Sequence, residues 1–417
     1  MTTNASARLT PAGTEPNGRR CTGNWQSQSR IWRSRSGLIR SCGGSGIRGT
    51  ATVQEAGGRL TTRSTHVTRR RLDRIVVVPN STSDIAADAW RIGLSMYGTP
   101  YSMGIRPAAG RPAFTAYDLI DQAMTFGLAG IEIPATLLTD GPEDIGAHAR
   151  ARNLFITVDT GGVDPEALSQ VFELAGRAGS PTVRTVVGGA RLGGDRRAMA
   201  GRWQTFLADV LASLTTATKA AEQAGVTLAV ENHQDLASEE LLMLCETIDS
   251  PHFGITLDTG NPLGTGEEPI DYFRRVAPHV KNVHLKDYRI FTTDAGYRLV
   301  RCALGQGVID FPALLAILDS AAPGISMAIE LGAHEARHVR ILADDFWPEY
   351  PARSAAQLAA TVRFVQAEAR TTGDWRTPFE REESVESIVA YEQRELIASV
   401  AYVDALNRSR RAEAGTR

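Results

Sequence analysis

Cysteine is scarce in this sequence, and long apolar runs are absent. The 417 residues include four cysteines, Cys21, Cys42, Cys245 and Cys302, and no two of them form a C-x-x-C pair. This spacing argues against a disulfide framework and a zinc ribbon, and favours a reducing compartment. No apolar stretch approaches the ~20 residues that a membrane span requires, and no signal-peptide core follows the first residue. We therefore expect a cytoplasmic protein that does not bind membranes.

Acidic residues are rare near the N-terminus. Residues 1–74 contain 14 arginines and three acidic residues, whereas the whole chain has a net charge of -2. The arginines are scattered among Gly, Ser and Thr without amphipathic periodicity or interleaved aromatics, which argues against nucleic-acid binding. We predict that residues 1–74 are a disordered leader or the product of an over-long gene start, because they cannot build a core.

From about residue 75, short apolar runs alternate with segments of helical period, the pattern of parallel βα units. The candidate strands are residues 91–97, 130–135, 154–160, 182–189, 227–233, 253–259, 280–287 and 326–332. The candidate helices include residues 114–127, 164–178, 196–224, 238–249, 267–277, 311–320 and 353–370. Eight strands with helices between them predict an α/β fold, a closed (β/α)8 TIM barrel over residues 75–370.

A further helix is predicted near residues 380–406, inside a C-terminal extension of residues 371–417. Its apolar residues recur close to helical spacing: Val385, Ile388, Val389, Leu396, Ile397, Val400 and Val403. One face of this helix should therefore be buried. The face packs either on the barrel or on a second subunit, and the second arrangement predicts a homo-oligomer.

Four of the candidate strands end in residue types that bind metals. Glu231 closes LAVE, Asp258 closes ITLD, His284 lies in NVHLKD and Glu330 closes MAIE. The C-terminal ends of barrel strands converge on one face, and neighbouring strands lie about 4.8 Å apart. One acid at a strand end often just caps a helix, but four such residues on consecutive strands are costly unless they are paired or bind a metal. Three carboxylates and one imidazole predict one divalent ion, Mn²⁺ or Mg²⁺ before Co²⁺ or Zn²⁺.

The segments VTLAVENH, FGITLDTGN, VKNVHLKD, ALGQGVIDF and MAIELG resemble the xylose isomerase-like barrels, also called the sugar phosphate isomerase/epimerase superfamily. The resemblance covers about residues 90–370. It implies the same four ligands, and it implies that Glu231 and Glu330 also serve as acid and base on opposite faces of the substrate. The expected reaction is isomerisation or epimerisation of a keto-sugar or related polyol through a metal-bound enediolate. The expected ligand is a small sugar or sugar acid.

The sequence departs from this family at Asn261, where many relatives have histidine three residues after the aspartate ligand. The change puts the usual substrate contact in question and argues against the multi-zinc apurinic endonuclease relatives, and so against DNA cleavage. Together with an insertion at residues 288–306, it supports a second hypothesis, a dehydratase, decarboxylase or C-glycoside-cleaving lyase acting on an oxidised sugar. An alternative of another class is a non-catalytic sugar-binding or partner subunit.

Other polar residues near the predicted strand ends are candidates for binding substrate: His233, Lys286, Asn261, Arg184, Glu132 and His334. His334 also begins HEARH, which matches the zinc-protease motif H-E-x-x-H. That motif requires both histidines in one helix, and Gly332 ends a predicted strand only two residues earlier. We therefore favour a position for His334, Arg337 and Arg340 at the pocket mouth, where they would suit an anionic sugar acid.

Overall fold

A computed structural model describes residues 89–332 and 334–414 of the chain. The predicted leader, residues 1–74, lies outside the described residues. Within them, no helix is long and apolar enough to cross a membrane.

The predicted barrel is confirmed: eight parallel strands close into one sheet. In chain order these strands are β1 (Ile92–Ser95), β2 (Gly130–Pro134), β3 (Phe155–Asp159), β4 (Thr182–Thr185), β5 (Thr227–Glu231), β6 (Phe253–Asp258), β7 (Val280–Leu285) and β10 (Met327–Ile329). The first seven follow one another around the barrel, and β10 closes it between β7 and β1. Each falls inside a strand predicted from the sequence, because apolar β-branched runs bounded by turn residues identify buried parallel strands.

Helices follow most of the strands and cover the outside of the barrel. They are α1 (Ala116–Thr125), α2 (Pro142–Arg150), α3 (Pro165–Ala178), α4 (Trp203–Ala224), α5 (Ser238–Ile248), α6 (Pro269–Val276) and α7 (Phe311–Ala321). Capping residues fix several helix boundaries. At the start of α3, the Asp164 side chain accepts a hydrogen bond from the Ala167 amide, and proline is the first helical residue. Helices α3 and α4 end at Gly179 and Gly225, which adopt the left-handed conformation.

The insertion after β7 is a β-hairpin that belongs to a second, smaller sheet. Strands β8 (Asp287–Thr293) and β9 (Gly296–Cys302) pair antiparallel, and β11 (Arg337–Val339) adds to the other side of β9. Helix α8 (Ala355–Glu368) contributes Val365 to the apolar cluster beside this sheet, together with Tyr297 and Leu299. The sheet therefore stands next to the rim on which β7 and β10 end.

The predicted C-terminal helix is present as α9 (Val385–Ala414). Four residues of its predicted apolar face are buried, Ile388, Val389, Leu396 and Val403, and the last two belong to the main core. Ile397 is exposed. The helix thus packs on the barrel, while assembly of two subunits through it stays a prediction.

Candidate active site

The four predicted metal ligands lie at one rim of the barrel. Glu231 and Asp258 are the last residues of β5 and β6, His284 is the fifth residue of β7, and Glu330 directly follows β10. Asp258 and His284 are paired in the strand register, so their side chains leave the sheet at the same level. All four side chains are buried. The carboxyl ends of the barrel strands therefore bring together residues that are up to 99 positions apart in sequence.

Three of these residues form a compact group. Ligand atoms of Glu231, Asp258 and His284 all lie within 4.8 Å of one another. Glu330 reaches the group through Lys286, whose ammonium group pairs with both Glu330 and Asp258. The contact with Asp258 Oδ2 measures 2.5 Å. The structure thus brings three of the four predicted ligands together, and a lysine ammonium lies between Asp258 and the fourth, Glu330.

His284 is oriented by a carboxylate from the other side of the barrel. Its Nε2 lies 2.7 Å from Oε1 of Glu132, which is buried on β2, and its Nδ1 lies 3.6 Å from Oε2 of Glu231. Asn282 donates to the same Glu132 carboxylate at 2.9 Å. Burial alone would lower the pKa of His284, but the carboxylates of Glu132 and Glu231 raise it to about 9. The imidazole thus lies between two acids, with one ring nitrogen toward each.

Glu231 is held between a cation and an amide. Arg184 Nη2 lies 2.5 Å from Glu231 Oε2, and the Asn261 side-chain amide donates to Oε1 at 3.4 Å. Burial raises the pKa of Glu231, but Arg184 and then His284 outweigh it and bring the value to about 2. Glu231 is therefore a carboxylate whose negative charge is balanced by Arg184.

Asn261 is itself fixed by a strained residue. Gln234, a buried non-glycine residue, has a φ of 64°, in the left-handed region. Its side-chain amide donates to Asn261 Oδ1 at 2.9 Å, and its own oxygen accepts from the Gly193 amide at 2.9 Å. Such strain persists only where its surroundings enforce it and is frequent at functional sites. Gln234 thus joins the loops that follow β4, β5 and β6.

Two further residues of the site were not predicted from the sequence. Asp159, the last residue of β3, is buried with one Arg184 nitrogen 4.0 Å away. Burial raises its pKa to about 7, against the opposing effect of Arg184. Asp159, and then burial, raise the pKa of Tyr97, which follows β1. Asp159 closes the run FITVD as Asp258 closes FGITLD, so the same rule, an acid at a strand end, could have identified it.

The remaining predicted substrate contacts are His233 and His334. His233 is exposed beyond the end of β5. His334 is buried, with Nε2 2.8 Å from Glu392 of α9 and its ring against Tyr101. His338, the second histidine of HEARH, lies on strand β11 and not on a helix, so the protease hypothesis is excluded by the local fold.

The two arginines proposed for the pocket mouth pair with acids close to them in sequence. Arg337 lies 3.5 Å from Glu335, and Arg340 lies 3.0 Å from Asp345. Both ion pairs are at least partly exposed. Binding of an anionic substrate by these arginines stays a prediction.

The residues present fit a divalent cation. Among the described residues, Nδ1 of His284 has no hydrogen-bond partner although it is buried, while Nε2 is occupied by Glu132, as in sites where a carboxylate orients a metal-binding imidazole. The oxygen and nitrogen donors of Glu231, Asp258, His284 and Glu330 form the hard set that Mn²⁺ or Mg²⁺ prefers. The Lys286 ammonium shows that a positive charge is accommodated between these carboxylates.

The chain was compared with known protein families and proteins. Residues 120–361 match the model of one family, the xylose isomerase-like TIM barrel. YihM of Escherichia coli strain K12, an uncharacterised protein, is 26% identical over 253 residues, which cover 58% of this chain and 72% of YihM.

Two similarities concern proteins with a stated activity. The 3-oxo-isoapionate decarboxylase of Pectobacterium atrosepticum is 33% identical over 95 residues, 22% of this chain and 34% of the decarboxylase. The D-psicose 3-epimerase of Clostridium cellulolyticum superposes with a TM-score of 0.48 at 13% identity, covering 75% of this chain and 99% of the epimerase.

Proposed function

The chain belongs to the xylose isomerase-like TIM barrel family, and we propose that it is a divalent-metal-dependent isomerase or epimerase of a keto-sugar or related polyol. The observation that carries the proposal is the buried group of Glu231, Asp258 and His284, with ligand atoms within 4.8 Å at the ends of β5, β6 and β7. Burial of a charged side chain costs free energy, because the charge loses its hydration. A buried cluster of charged side chains is therefore usually ion-paired, catalytic or bound to a metal.

In this proposal Glu231, Asp258, His284 and Glu330 hold the ion. A divalent ion there supplies electrophilic polarisation of a carbonyl and its neighbouring hydroxyl, which acidifies the C–H bond between them. Glu132 keeps Nε2 of His284 engaged and so leaves Nδ1 for the ion. Asn261 and Arg184 fix the direction of the Glu231 carboxylate.

Glu231 and Glu330 are the proposed proton-transfer groups. They stand on the fifth and the eighth strand of the barrel, with β6 and β7 between them. For epimerisation, one carboxylate would remove the proton next to the carbonyl and the other would return a proton to the opposite face of the same carbon. For isomerisation, the proton would instead return to the former carbonyl carbon, while the proton of the neighbouring hydroxyl passes to the former carbonyl oxygen. Both side chains are buried, so the proton is transferred away from bulk water.

Substrate oxygens are proposed to meet Lys286, Arg184, Asn261 and His233. Lys286 and Arg184 are cationic and lie at the site, against Asp258 and Glu231 respectively. A hydroxy-ketone offers several oxygen acceptors to such donors, and a sugar acid adds a carboxylate.

A lyase is the second candidate function. The observation in its favour is the 33% identity with a 3-oxo-isoapionate decarboxylase over 95 residues. Asn261, in place of the histidine of many relatives, points the same way. The two reactions share the carbanion-stabilising site and differ in what leaves the substrate, a proton or a larger group such as CO₂, whose loss leaves the bonding electrons on the carbon.

The proposal is tested by NMR in D₂O with Mn²⁺ present, on a panel of keto-sugars, oxidised glycosides and sugar acids. An isomerase or epimerase exchanges deuterium into the carbon next to the carbonyl, or transfers the proton internally, which positional labelling detects. Loss of CO₂ or water without such exchange replaces the proposal with the lyase. Binding without any reaction supports a non-catalytic subunit. The Glu231→Gln variant serves as the inactive control.

A further inference from the structure

Lys286 occupies the position between two of the proposed metal ligands. Its Nζ lies 2.5 Å from Oδ2 of Asp258 and also pairs with Oε2 of Glu330. The other oxygen of Asp258, Oδ1, accepts a hydrogen bond from the Gly260 amide at 3.0 Å. The lysine ammonium therefore uses the oxygen of Asp258 that receives no main-chain hydrogen bond from the part of the chain that the structure describes, the one best suited to bind a cation.

The main chain of Lys286 is fixed, whereas its ammonium group is held by side chains alone. The Thr259 hydroxyl accepts from the Lys286 amide at 2.9 Å and donates to the Lys286 carbonyl at 2.7 Å. Among the described residues, the ion pairs of Nζ are with Asp258 and Glu330. A flexible side chain on a fixed backbone can move its charge without any movement of β7.

The other cation of the site is anchored more firmly. Arg184 pairs with Glu231 and donates to the main-chain carbonyl of Thr160 at 3.3 Å. Space for the lysine stem comes from Gly260, where a Cβ would lie 3.3 Å from Cγ of Lys286 and 2.5 Å from the Tyr288 ring. Lys286, unlike Arg184, is thus held by side-chain ion pairs without a main-chain contact of its cationic group among the described residues, and it is the one of the two that can move.

We propose that Lys286 and the divalent ion compete for Asp258 and Glu330, so that metal binding displaces the ammonium group and frees it for a substrate oxygen. The inference rests on the proposed metal site. Two positive charges at the same carboxylate oxygens repel each other strongly in a buried site. Without metal, the lysine neutralises buried carboxylates that would otherwise be costly to the fold.

The lysine content of the chain makes the displacement directly measurable. The sequence contains three lysines, Lys219, Lys281 and Lys286. Lys219 is exposed on α4, Lys281 is half-buried on β7, and Lys286 is buried. Each can be followed separately by peptide mass spectrometry after brief acetylation with an N-hydroxysuccinimide ester at fixed pH, in EDTA and in excess MnCl₂.

We expect Mn²⁺ to raise the labelling rate of Lys286 at least fivefold and to leave Lys219 and Lys281 unchanged. An equal or lower rate at Lys286 in the presence of bound Mn²⁺ overturns the competition, while the metal site itself stands. Failure of the unaltered protein to bind Mn²⁺ overturns both, and identifies Lys286 as the permanent cation of the site.

Metal affinity provides the second measurement. The Kd for Mn²⁺, from electron paramagnetic resonance of the free ion, is compared among the unaltered protein, Lys286→Met and the control Lys281→Met. Removal of a competing charge should tighten binding on the order of tenfold in Lys286→Met, with no change in the control. Unchanged or weaker binding contradicts the proposal. Should Lys286→Met not fold, Lys286→Gln is tested by its melting temperature, which Mn²⁺ should raise by more than in the unaltered protein.

Discussion

The carboxylate of Glu132 lies 2.7 Å from Nε2 of His284, although the two residues stand 152 positions apart on β2 and β7. Both side chains are fully buried. The contact fixes the ring so that Nδ1 faces Glu231. It also makes the imidazole a stronger electron donor at Nδ1, because the Glu132 carboxylate accepts a hydrogen bond from Nε2.

Replacement of Glu132 should therefore weaken metal binding without removal of a ligand. For Glu132→Gln we expect the Kd for Mn²⁺ to rise about 10- to 100-fold. The measurement is a titration followed by electron paramagnetic resonance, with Glu166→Gln on the exposed face of α3 as control. An unchanged Kd in Glu132→Gln would mean that His284 does not bind the ion.

Glu231 and Glu330 should be needed for turnover beyond any effect on metal content. We expect Glu231→Gln and Glu330→Gln each to lower kcat about 10²- to 10⁴-fold with the substrate identified by NMR, because an amide cannot accept the proton. Metal content is measured on the same samples. A variant that keeps its metal and at least a tenth of the turnover would remove that glutamate from proton transfer.

Glu392 of α9 should be important for stability. Its carboxylate accepts from the amides of Tyr101 and Ser102, at 3.1 and 2.7 Å, and contacts His334 at 2.8 Å. Glu392→Ala leaves these buried donors without a partner, so we expect a loss of about 2–4 kcal/mol in the free energy of unfolding.

Urea denaturation measures this loss, and Glu386→Ala, at an exposed position of the same helix, is the control. The control should change stability by less than about 0.5 kcal/mol. Equal stability of the two variants would show that α9 is held by its apolar face alone.

Asp287 should hold the loop that follows the hairpin. Its carboxylate accepts from the amides of Gly305, Gly307 and Ile309 at 2.9–3.1 Å. In Asp287→Ala we expect hydrogen exchange at these three amides to become at least tenfold faster, because their buried acceptor is lost. Asp294→Ala, at the exposed turn of the hairpin, should leave them unchanged. Equal exchange in both variants would contradict the assigned role of Asp287.

The sequence predicted the barrel well because its strands are short apolar runs with clear boundaries. It did not predict α2, since Pro142–Arg150 is short and Ile145 is its one large buried apolar residue. The small sheet was missed for a different reason. Its third strand, Arg337–Val339, has three residues and pairs with a hairpin about forty positions away, which no local pattern reveals.

The site shows the same division between local and long-range information. Glu231, Asp258, His284 and Glu330 could be chosen because each stands at the end of a predictable strand. The partners of these residues could not, because they depend on side-chain directions across the barrel. Glu132 was a candidate substrate contact but lies against His284, and Lys286 lies between Asp258 and Glu330. A strand pattern in the sequence predicts which residues lie on the rim of the barrel, but not which of their side chains are in contact.

The most direct test of the metal site is the metal content of the protein after incubation with MnCl₂ and removal of free ions, measured by inductively coupled plasma mass spectrometry. The proposed metal site predicts one ion per chain in the unaltered protein, and close to none in Asp258→Ala and His284→Ala. Asp258→Asn is a substitute where the alanine variant does not fold. No ion in the unaltered protein, two ions per chain, or full occupancy in both variants would contradict the proposed site.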